Sequence, residues 1–156
     1  MSTSSKIIIY TDGSSRGNPG PGGYAAILIS GSHRKEISKG FKYTTNNRME
    51  LLSVIAALEA LKNEKQNVTV YSDSKYVVDA VTKGWVFTWQ KKNFSGKKNP
   101  DLWMRFLRIF PKHNVQFVWV KGHADNPENN RCDELAVTAA QGYNLLTDGA
   151  YEASQK

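Results

Sequence analysis

The sequence predicts a single α/β domain built on a mixed β-sheet, and three observations predict it. β-rich and helix-type stretches follow one another in the order β-β-β-α-β-α-(basic)-α-β-α, a succession that needs strands of both senses in one sheet. The 156 residues are enough for one buried core and too few for two comfortable ones. The composition, 40% hydrophobic and 22% charged with 11% aromatic residues, is that of a folded soluble domain and excludes a disordered chain.

Lys6 to Tyr10 is a short apolar run ending at Thr11-Asp12-Gly13, and the turn formers of residues 17–23 (Gly-Asn-Pro-Gly-Pro-Gly-Gly) predict a loop after it. Tyr24 to Ile29 and Lys35 to Tyr43 read as two further strands, turning near Gly31 to Arg34, so the chain opens with an antiparallel meander. Thr44, Thr45, Asn46 and Asn47 are cap-type residues, and the alanine- and leucine-rich run from Met49 to Leu61 after them predicts a helix. Asn67 to Ser72 is a β-rich hexapeptide. Ser74 to Thr82 then predicts a helix stopped by Gly84. Beyond a basic segment, Asp101 to Phe110 predicts a helix after Pro100, and Val115 to Val120 a strand. Asn126 caps a last helix that has Pro127 at its first position and runs to about Gln141. From Gly142 onward the chain is polar and predicts a loosely held tail, so the expected domain covers residues 1–142 and the tail 143–156.

The start, Met-Ser-Thr-Ser-Ser-Lys, leads into only three isoleucines, short of a signal-peptide core or a membrane span, and a cytoplasmic location is the expectation. The one cysteine, Cys132, has no internal disulfide partner and no Cys-x-x-Cys spacing, and reads as a small buried apolar residue. The net charge of +7 is concentrated. Lys83, Lys91, Lys92, Lys97, Lys98, Arg105, Arg108 and Lys112 stand against Asp101 alone, and the rest of the chain balances. Trp85, Phe87, Trp89, Phe94 and Trp103 are interleaved with them. Lysines alone would suit a solvated face; lysines among aromatics suit a phosphate backbone and stackable bases or sugars.

Two segments, residues 8–14 (Ile-Ile-Tyr-Thr-Asp-Gly-Ser) and 69–74 (Thr-Val-Tyr-Ser-Asp-Ser), each deliver an aspartate, Asp12 and Asp73, at the carboxyl end of an expected strand. Parallel neighbours would converge there, at the usual ligand position of an open α/β sheet. Each aspartate has a structural alternative, since Asp12-Gly13 can begin a turn and Asp73 can cap the following helix. Glu50 lies across its helix from Glu59, Lys62 and Asn63, at about 100° per residue, and so points inward with Val54 and Ala57. A capping box, Asn47-x-x-Glu50, accounts for the same glutamate without any inward aim. Asp133 shares a sector of the last helix with Ala136, Val137 and Ala140. Four carboxylates in one cleft would repel unless cations held them ionised, and hard oxygen ligands suit Mg²⁺. Two such ions suit phosphodiester cleavage. His123, in the loop before the last helix, is either a proton shuttle beside such a site or a surface histidine.

The motifs resemble those of type 1 ribonuclease H of the bacterial kind. The matching stretches are Tyr-Thr-Asp-Gly-Ser with Gly-Asn-Pro-Gly-Pro-Gly-Gly-Tyr, Thr-Thr-Asn-Asn-Arg-Met-Glu-Leu, Ser-Asp-Ser-Lys-Tyr-Val, Lys-Asn-Pro-Asp-Leu-Trp, and the run from Trp119 to Ala136, together spanning residues 7 to about 140. Several independent motifs in the right order make the resemblance specific. It implies a five-stranded mixed sheet with helices on both sides, and a protruding basic handle at about residues 83–100 that binds the DNA strand. It implies hydrolysis of the RNA strand of RNA:DNA hybrids with two Mg²⁺ or Mn²⁺ ions, leaving 3′-hydroxyl and 5′-phosphate ends. Asp12, Glu50, Asp73 and Asp133 match the metal-binding carboxylates, and His123 the histidine assisting proton transfer or product release.

By position, Gly13, Asn18, Asn46, Asn47 and Glu50 match contacts to the RNA strand in the minor groove, and Thr45 and Asn99 a pocket for a DNA phosphate. Trp85, Trp89, Lys91, Lys92, Lys97 and Lys98 are the expected handle contacts. The chain departs from the pattern in places. The stretch from Trp89 to Trp103 is a few residues short, which implies a handle gripping less DNA; Lys75, an expected substrate contact, stands where many relatives have Gln, and Tyr43 where some carry a basic residue. With no amino-terminal hybrid-binding domain in this sequence, the handle is expected to supply most of the nonspecific grip. A monomer without an obligate protein partner is expected. A nuclease or strand-transfer enzyme of the same fold would share the carboxylates but not the Thr-Thr-Asn-Asn-Arg-Met-Glu stretch or the Gly-His-Ala loop. An inactive hybrid-binding module would have lost an acidic ligand, and none is lost.

Overall fold

The computed structural model describes residues 6–63, 65–121 and 126–155. Strands β1 (Lys6–Ser15), β2 (Gly20–Ser30) and β3 (His33–Thr44) form the expected antiparallel meander. β4 (Asn67–Ser72) and β5 (Asn114–Trp119) join it in parallel through β1, giving a five-stranded mixed sheet in the order β3-β2-β1-β4-β5. The described residues also form helices α1 (Asn46–Glu59), α2 (Lys75–Thr82), α3 (Trp85–Lys91), α4 (Pro100–Ile109), α5 (Pro127–Ala140) and α6 (Gly149–Ser154). None is long and apolar enough to cross a membrane.

Strand alternation sets the layers, because successive side chains leave a strand on opposite faces. Ile7 and Ile9 of β1, Tyr24, Ala26 and Leu28 of β2, and Val68 and Val70 of β4 share one core with α1 and with Trp103 and Phe106 of α4. α1 is apolar nearly all round, with Met49, Leu51, Leu52, Val54, Ile55, Ala57 and Leu58 buried, and each such Leu or Ile contributes about 1.5–3 kcal/mol on burial. The opposite face is thinner: Ala25 and Ile27 meet Cys132 and Ala136 of α5. A Cβ on Gly23 would collide with the Ala136 carbonyl and the Ala140 amide, so the bare backbone there lets α5 lie against β2. Cys132 is fully buried, as its apolar reading requires, and its thiol donates to the Tyr10 carbonyl at 3.2 Å.

Four features differ from the expectation. β1 continues through Asp12 to Ser15, because the glycine-rich stretch pairs as strand: Asp12 lies opposite Ala25 and Ser15 opposite Gly22. α1 begins at Asn46 with Thr45 as its cap, the Thr45 hydroxyl accepting from the Arg48 amide, so the capping box Asn47-x-x-Glu50 does not form. The basic segment contains a helix, α3, entered at Gly84 with φ +76°. The carboxyl-terminal segment is held. Leu146 pairs with β3 through Lys42 N–H to Leu146 O and Leu146 N–H to Gly40 O, both 2.8 Å, and Asp148 is buried. A polar composition hides this because the partners, Thr44 and Arg48, lie some hundred residues upstream.

Candidate active site

β1 and β4 are parallel neighbours, so the aspartates at their carboxyl ends converge as their similarity predicts. Asp12 is paired within the β1–β2 ladder, and its Oδ1 accepts from the Gly13 amide at 2.9 Å, so it holds a place in a strand and does not open a turn. Asp73 directly follows Ser72, the last residue of β4. The cap of α2 is Ser74, whose hydroxyl accepts from the Val77 amide, so Asp73 is released from the capping role.

Glu50 reaches the same point from α1 because the helix lies almost on β1. A Cβ on Gly13 would strike the backbone of Met49 and Glu50, so only glycine allows this approach. Carboxylate oxygens of Asp12, Glu50 and Asp73 lie within 4.8 Å of one another. Helix phase places Glu50 correctly on incomplete grounds: α1 ends at Glu59, and Lys62 and Asn63 lie beyond it. Asp133 departs from its reading. The buried stripe of α5 is Cys132, Ala136 and Ala140, and Asp133, at its margin, is exposed. Its charge still raises the Asp12 carboxyl.

Burial, then the charges of Asp73 and Asp133, push the Asp12 carboxyl up to about 8. Burial, then the charges of Asp12 and Asp73, raise Glu50 well above the usual carboxylate range. Glu50 Oε1 and Asp73 Oδ1 are buried without a hydrogen-bond partner. Such atoms are costly unless something else satisfies them. A set of oxygen donors with neither nitrogen nor sulfur fits a hard divalent cation, and these three carboxylates could hold one.

At the start of α1, a cleft of about 680 Å³ gathers Asn18, Thr45, Asn47, Lys97, Lys98 and Asn99, six residues named in the sequence as expected substrate contacts. Asn46 stands at its rim, where its amide donates to Asn18 Oδ1 at 3.1 Å and its Oδ1 accepts from Ser15 at 2.8 Å. The cleft wall also holds Arg48 and, from the carboxyl-terminal segment, Tyr151, Ser154 and Gln155, none of which the sequence indicated. Asn99 is fixed at both ends, by Arg48 at 3.2 Å and by the Tyr76 hydroxyl at 3.0 Å.

The basic segment divides. Lys91, Lys92, Lys97 and Lys98 are exposed. Trp103 and Phe94 are buried, however, and Phe87 and Trp89 pack partly buried against the core, so most of the interleaved aromatics serve packing. Trp85 remains 45% exposed and with Trp89, Lys97 and Lys98 lines a second hollow of about 370 Å³. Arg105 is engaged by Glu59 at 2.6 Å. Lys75 rests over the Trp119 ring, and Tyr43 packs on Tyr151. His123 lies outside the described residues.

Comparison with known proteins gives the family of the chain. The RNase H family pattern matches residues 4–141. A ribonuclease H of Desulforamulus reducens is 55% identical over 148 residues, covering 92% of each chain. A solved type 1 RNase H with the type 2 active-site motif, LC9-RNase H1, superposes with a TM-score of 0.82 at 31% identity, over 100% of this chain and 83% of that one. LC11-RNase H1, solved in complex with RNA/DNA hybrid, gives a TM-score of 0.65 at 30% identity, over 86% of this chain and 96% of that one. The chain belongs to the ribonuclease H family of phosphodiester hydrolases.

Proposed function

We propose that the chain is a cytoplasmic endoribonuclease that hydrolyses the RNA strand of RNA:DNA hybrids, with two divalent cations, Mg²⁺ or Mn²⁺, held among Asp12, Glu50, Asp73 and Asp133. The observation that carries this reading is the pair of buried, unpartnered oxygens, Glu50 Oε1 and Asp73 Oδ1, within a cluster of three carboxylates. Ions bound there supply Lewis acidity toward the phosphodiester and the means to ionise water at neutral pH. The chain contributes the rest. Gly13 N–H orients the Asp12 carboxylate, and the rigid β1–α1 contact fixes the spacing of Asp12 and Glu50. Asn18, Asn46 and Asn47 offer amide donors and acceptors to the 2′-hydroxyls and base edges of the minor groove. Thr45 and Asn99 hold a DNA phosphate, and the exposed Lys91, Lys92, Lys97 and Lys98 form a handle along the DNA backbone. His123 is assigned proton transfer or product release, and the products carry 3′-hydroxyl and 5′-phosphate ends.

The test offers end-labelled RNA:DNA hybrid, double-stranded RNA and double-stranded DNA to the protein with Mg²⁺. Internal cuts confined to the RNA of the hybrid, with fragments extendable from their 3′ ends, are expected. Intact hybrid RNA, or equal cutting of double-stranded RNA, overturns the reading.

A further inference from the structure

We propose that Trp119 is a positioning residue of the cleavage site, holding the backbone of Asp73 with its indole N–H and seating the Lys75 ammonium on its ring against a phosphate of the RNA strand. The inference rests on the hybrid-cleaving role of the carboxylate cluster and extends it to a residue outside that cluster.

Trp119 is the last residue of β5, an edge strand, and is 43% exposed. A large apolar ring at an open sheet edge contributes little to a core, which directs attention to its two specific contacts. The first is a hydrogen bond from Trp119 Nε1 to the Asp73 carbonyl at 3.2 Å. Around Asp73 the chain turns from strand to helix within two residues. The Ser72 hydroxyl accepts from the Ser74 amide at 3.1 Å, and the α2 ladder begins only with Val78 N–H to Ser74 O. The Asp73 carbonyl thus precedes the helix ladder, and the indole fixes its peptide plane. That plane sets the direction of the Asp73 side chain, whose Oδ1 is, with Glu50 Oε1, a buried oxygen of the cluster without a partner.

The second contact is Lys75 Nζ, 4.7 Å from the Trp119 ring centroid. Lys75 opens α2 two residues after Asp73, so a free lysine there would sweep a wide arc of solvent. Seated on the indole, it presents a cation at one edge of an acidic cluster, where a polyanionic strand entering the site gains attraction that the carboxylates by themselves would deny it. The ladder holds the seat in register: Ser72 pairs with Trp119, and Val120 N–H donates to Ser72 O at 2.9 Å. One side chain therefore ties a metal-binding carboxylate and a phosphate-binding cation to the same frame.

Separating the two contacts tests the proposal. Trp119→Phe keeps a ring and removes the N–H; Trp119→Leu removes both. Mg²⁺ and Mn²⁺ binding is measured by calorimetry without substrate, and kcat and KM on a hybrid, alongside the melting temperature. For Trp119→Phe, metal affinity and kcat fall about fivefold, the worth of one net hydrogen bond, with KM unchanged. For Trp119→Leu, KM also rises about two- to fivefold, the scale of an exposed cation–π contact. Lys75→Gln raises KM in the wild-type background and not in the Trp119→Leu background. Wild-type metal affinity and kcat in Trp119→Phe, whatever the melting temperature does, overturn the hold on Asp73. An equal effect of Lys75→Gln in both backgrounds overturns the seat. A wild-type protein that leaves hybrid uncut refutes the cleavage reading instead, and the calorimetric arm still decides the Asp73 contact.

Discussion

Arg48 and Glu50 stand two residues apart on α1, and each is the centre of a cluster of buried charge built on the opposite rule. Arg48 is 3% exposed, and all of its guanidinium N–H groups are used. Asp148 accepts from Nε and Nη2 at 2.7 and 2.9 Å, Asp101 from Nη1 and Nη2 at 2.9 and 2.7 Å, and Asn99 from Nη1 at 3.2 Å. The chain supplies every partner. Around Glu50 the neighbours are Asp12 and Asp73, charges of its own sign, and two oxygens have no partner. The first arrangement closes a structure by tying the carboxyl-terminal segment and α4 to α1. The second leaves a demand that a cation from solution meets. In these two clusters, buried charge marks the fold where the chain satisfies it and the function where it does not.

The largest expected effect breaks the Glu50 cluster. Asp12→Asn lowers the rate on hybrid by on the order of 10⁴, or about 5 kcal/mol of barrier, by removing a cation ligand. The same change raises the metal-free melting temperature at pH 8 by a few degrees, since it removes one of the repelling charges. A variant that loses activity together with melting temperature would show that the carboxylates stabilise the fold. Arg48→Ala does the converse. It strands Asp148 and costs about 3 kcal/mol of stability by denaturant titration, with the remaining folded protein still binding Mg²⁺ with wild-type affinity. Loss of Mg²⁺ affinity in that folded fraction would mean that the two clusters are one.

Gly13→Ala tests what joins them, because Gly13 lets α1 approach β1 and so brings both charges to their places. The added methyl meets the backbone of Met49 and Glu50, and the displacement costs about 1–3 kcal/mol with a weakened Mg²⁺ site. Wild-type stability would show that α1 can move away freely. Smaller still is the effect of the exposed lysines of the basic segment on binding. Replacing Lys91, Lys92, Lys97 and Lys98 by Ala should reduce the slope of log K against log salt by up to about 3.6, at about 0.9 for each phosphate that no longer has a lysine to neutralise it, measured with uncleaved hybrid in Ca²⁺. An unchanged slope removes these lysines from the interface.

The two clusters also differ in how far the sequence discloses them. Asp12 and Asp73 are visible because each ends a short apolar run, and α1, α2 and α5 because local caps, Thr45, Ser74 and Asn126, precede periodic apolar stretches. Signals of that kind are local. Helix phase turns Asp133 inward because it cannot tell how narrow the buried stripe of α5 is. The Arg48 cluster is invisible in the sequence because its partners, Asp101 and Asp148, come from 53 and 100 residues away, where no local pattern links them to Arg48. For the same reason Trp103 and Phe94 look available for stacking: their burial follows from how α4 and the basic segment fold against α1, which periodicity does not encode.

The clusters should finally be separable by pH, with opposite signs and modest size. Folded Asp12 titrates at about 8 and Glu50 is raised well above its usual range, by burial first and by like charges next. In the unfolded chain they titrate near about 3.9 and 4.3. Between those limits the folded state holds protons that the unfolded state has released, so metal-free stability falls as pH rises from about 4 to about 8. Asp101 behaves in reverse. Burial would raise it, but the hydrogen bonds and charge of Arg48 outweigh burial and hold it low. Its contribution is therefore present above the unfolded value, about 3.9, and is lost as pH falls through the depressed one. Melting temperatures of metal-free protein should rise from acid to a maximum near pH 4 to 5 and decline toward pH 8. Asp12→Asn should flatten the alkaline arm and Asp101→Asn the acid arm, while Mg²⁺, which binds the ionised carboxylates, should lift the alkaline arm alone. A metal-free curve that climbs steadily to pH 8 would mean that the Glu50 cluster finds its counter-charge within the chain, as Arg48 does, and the contrast between the two would be lost.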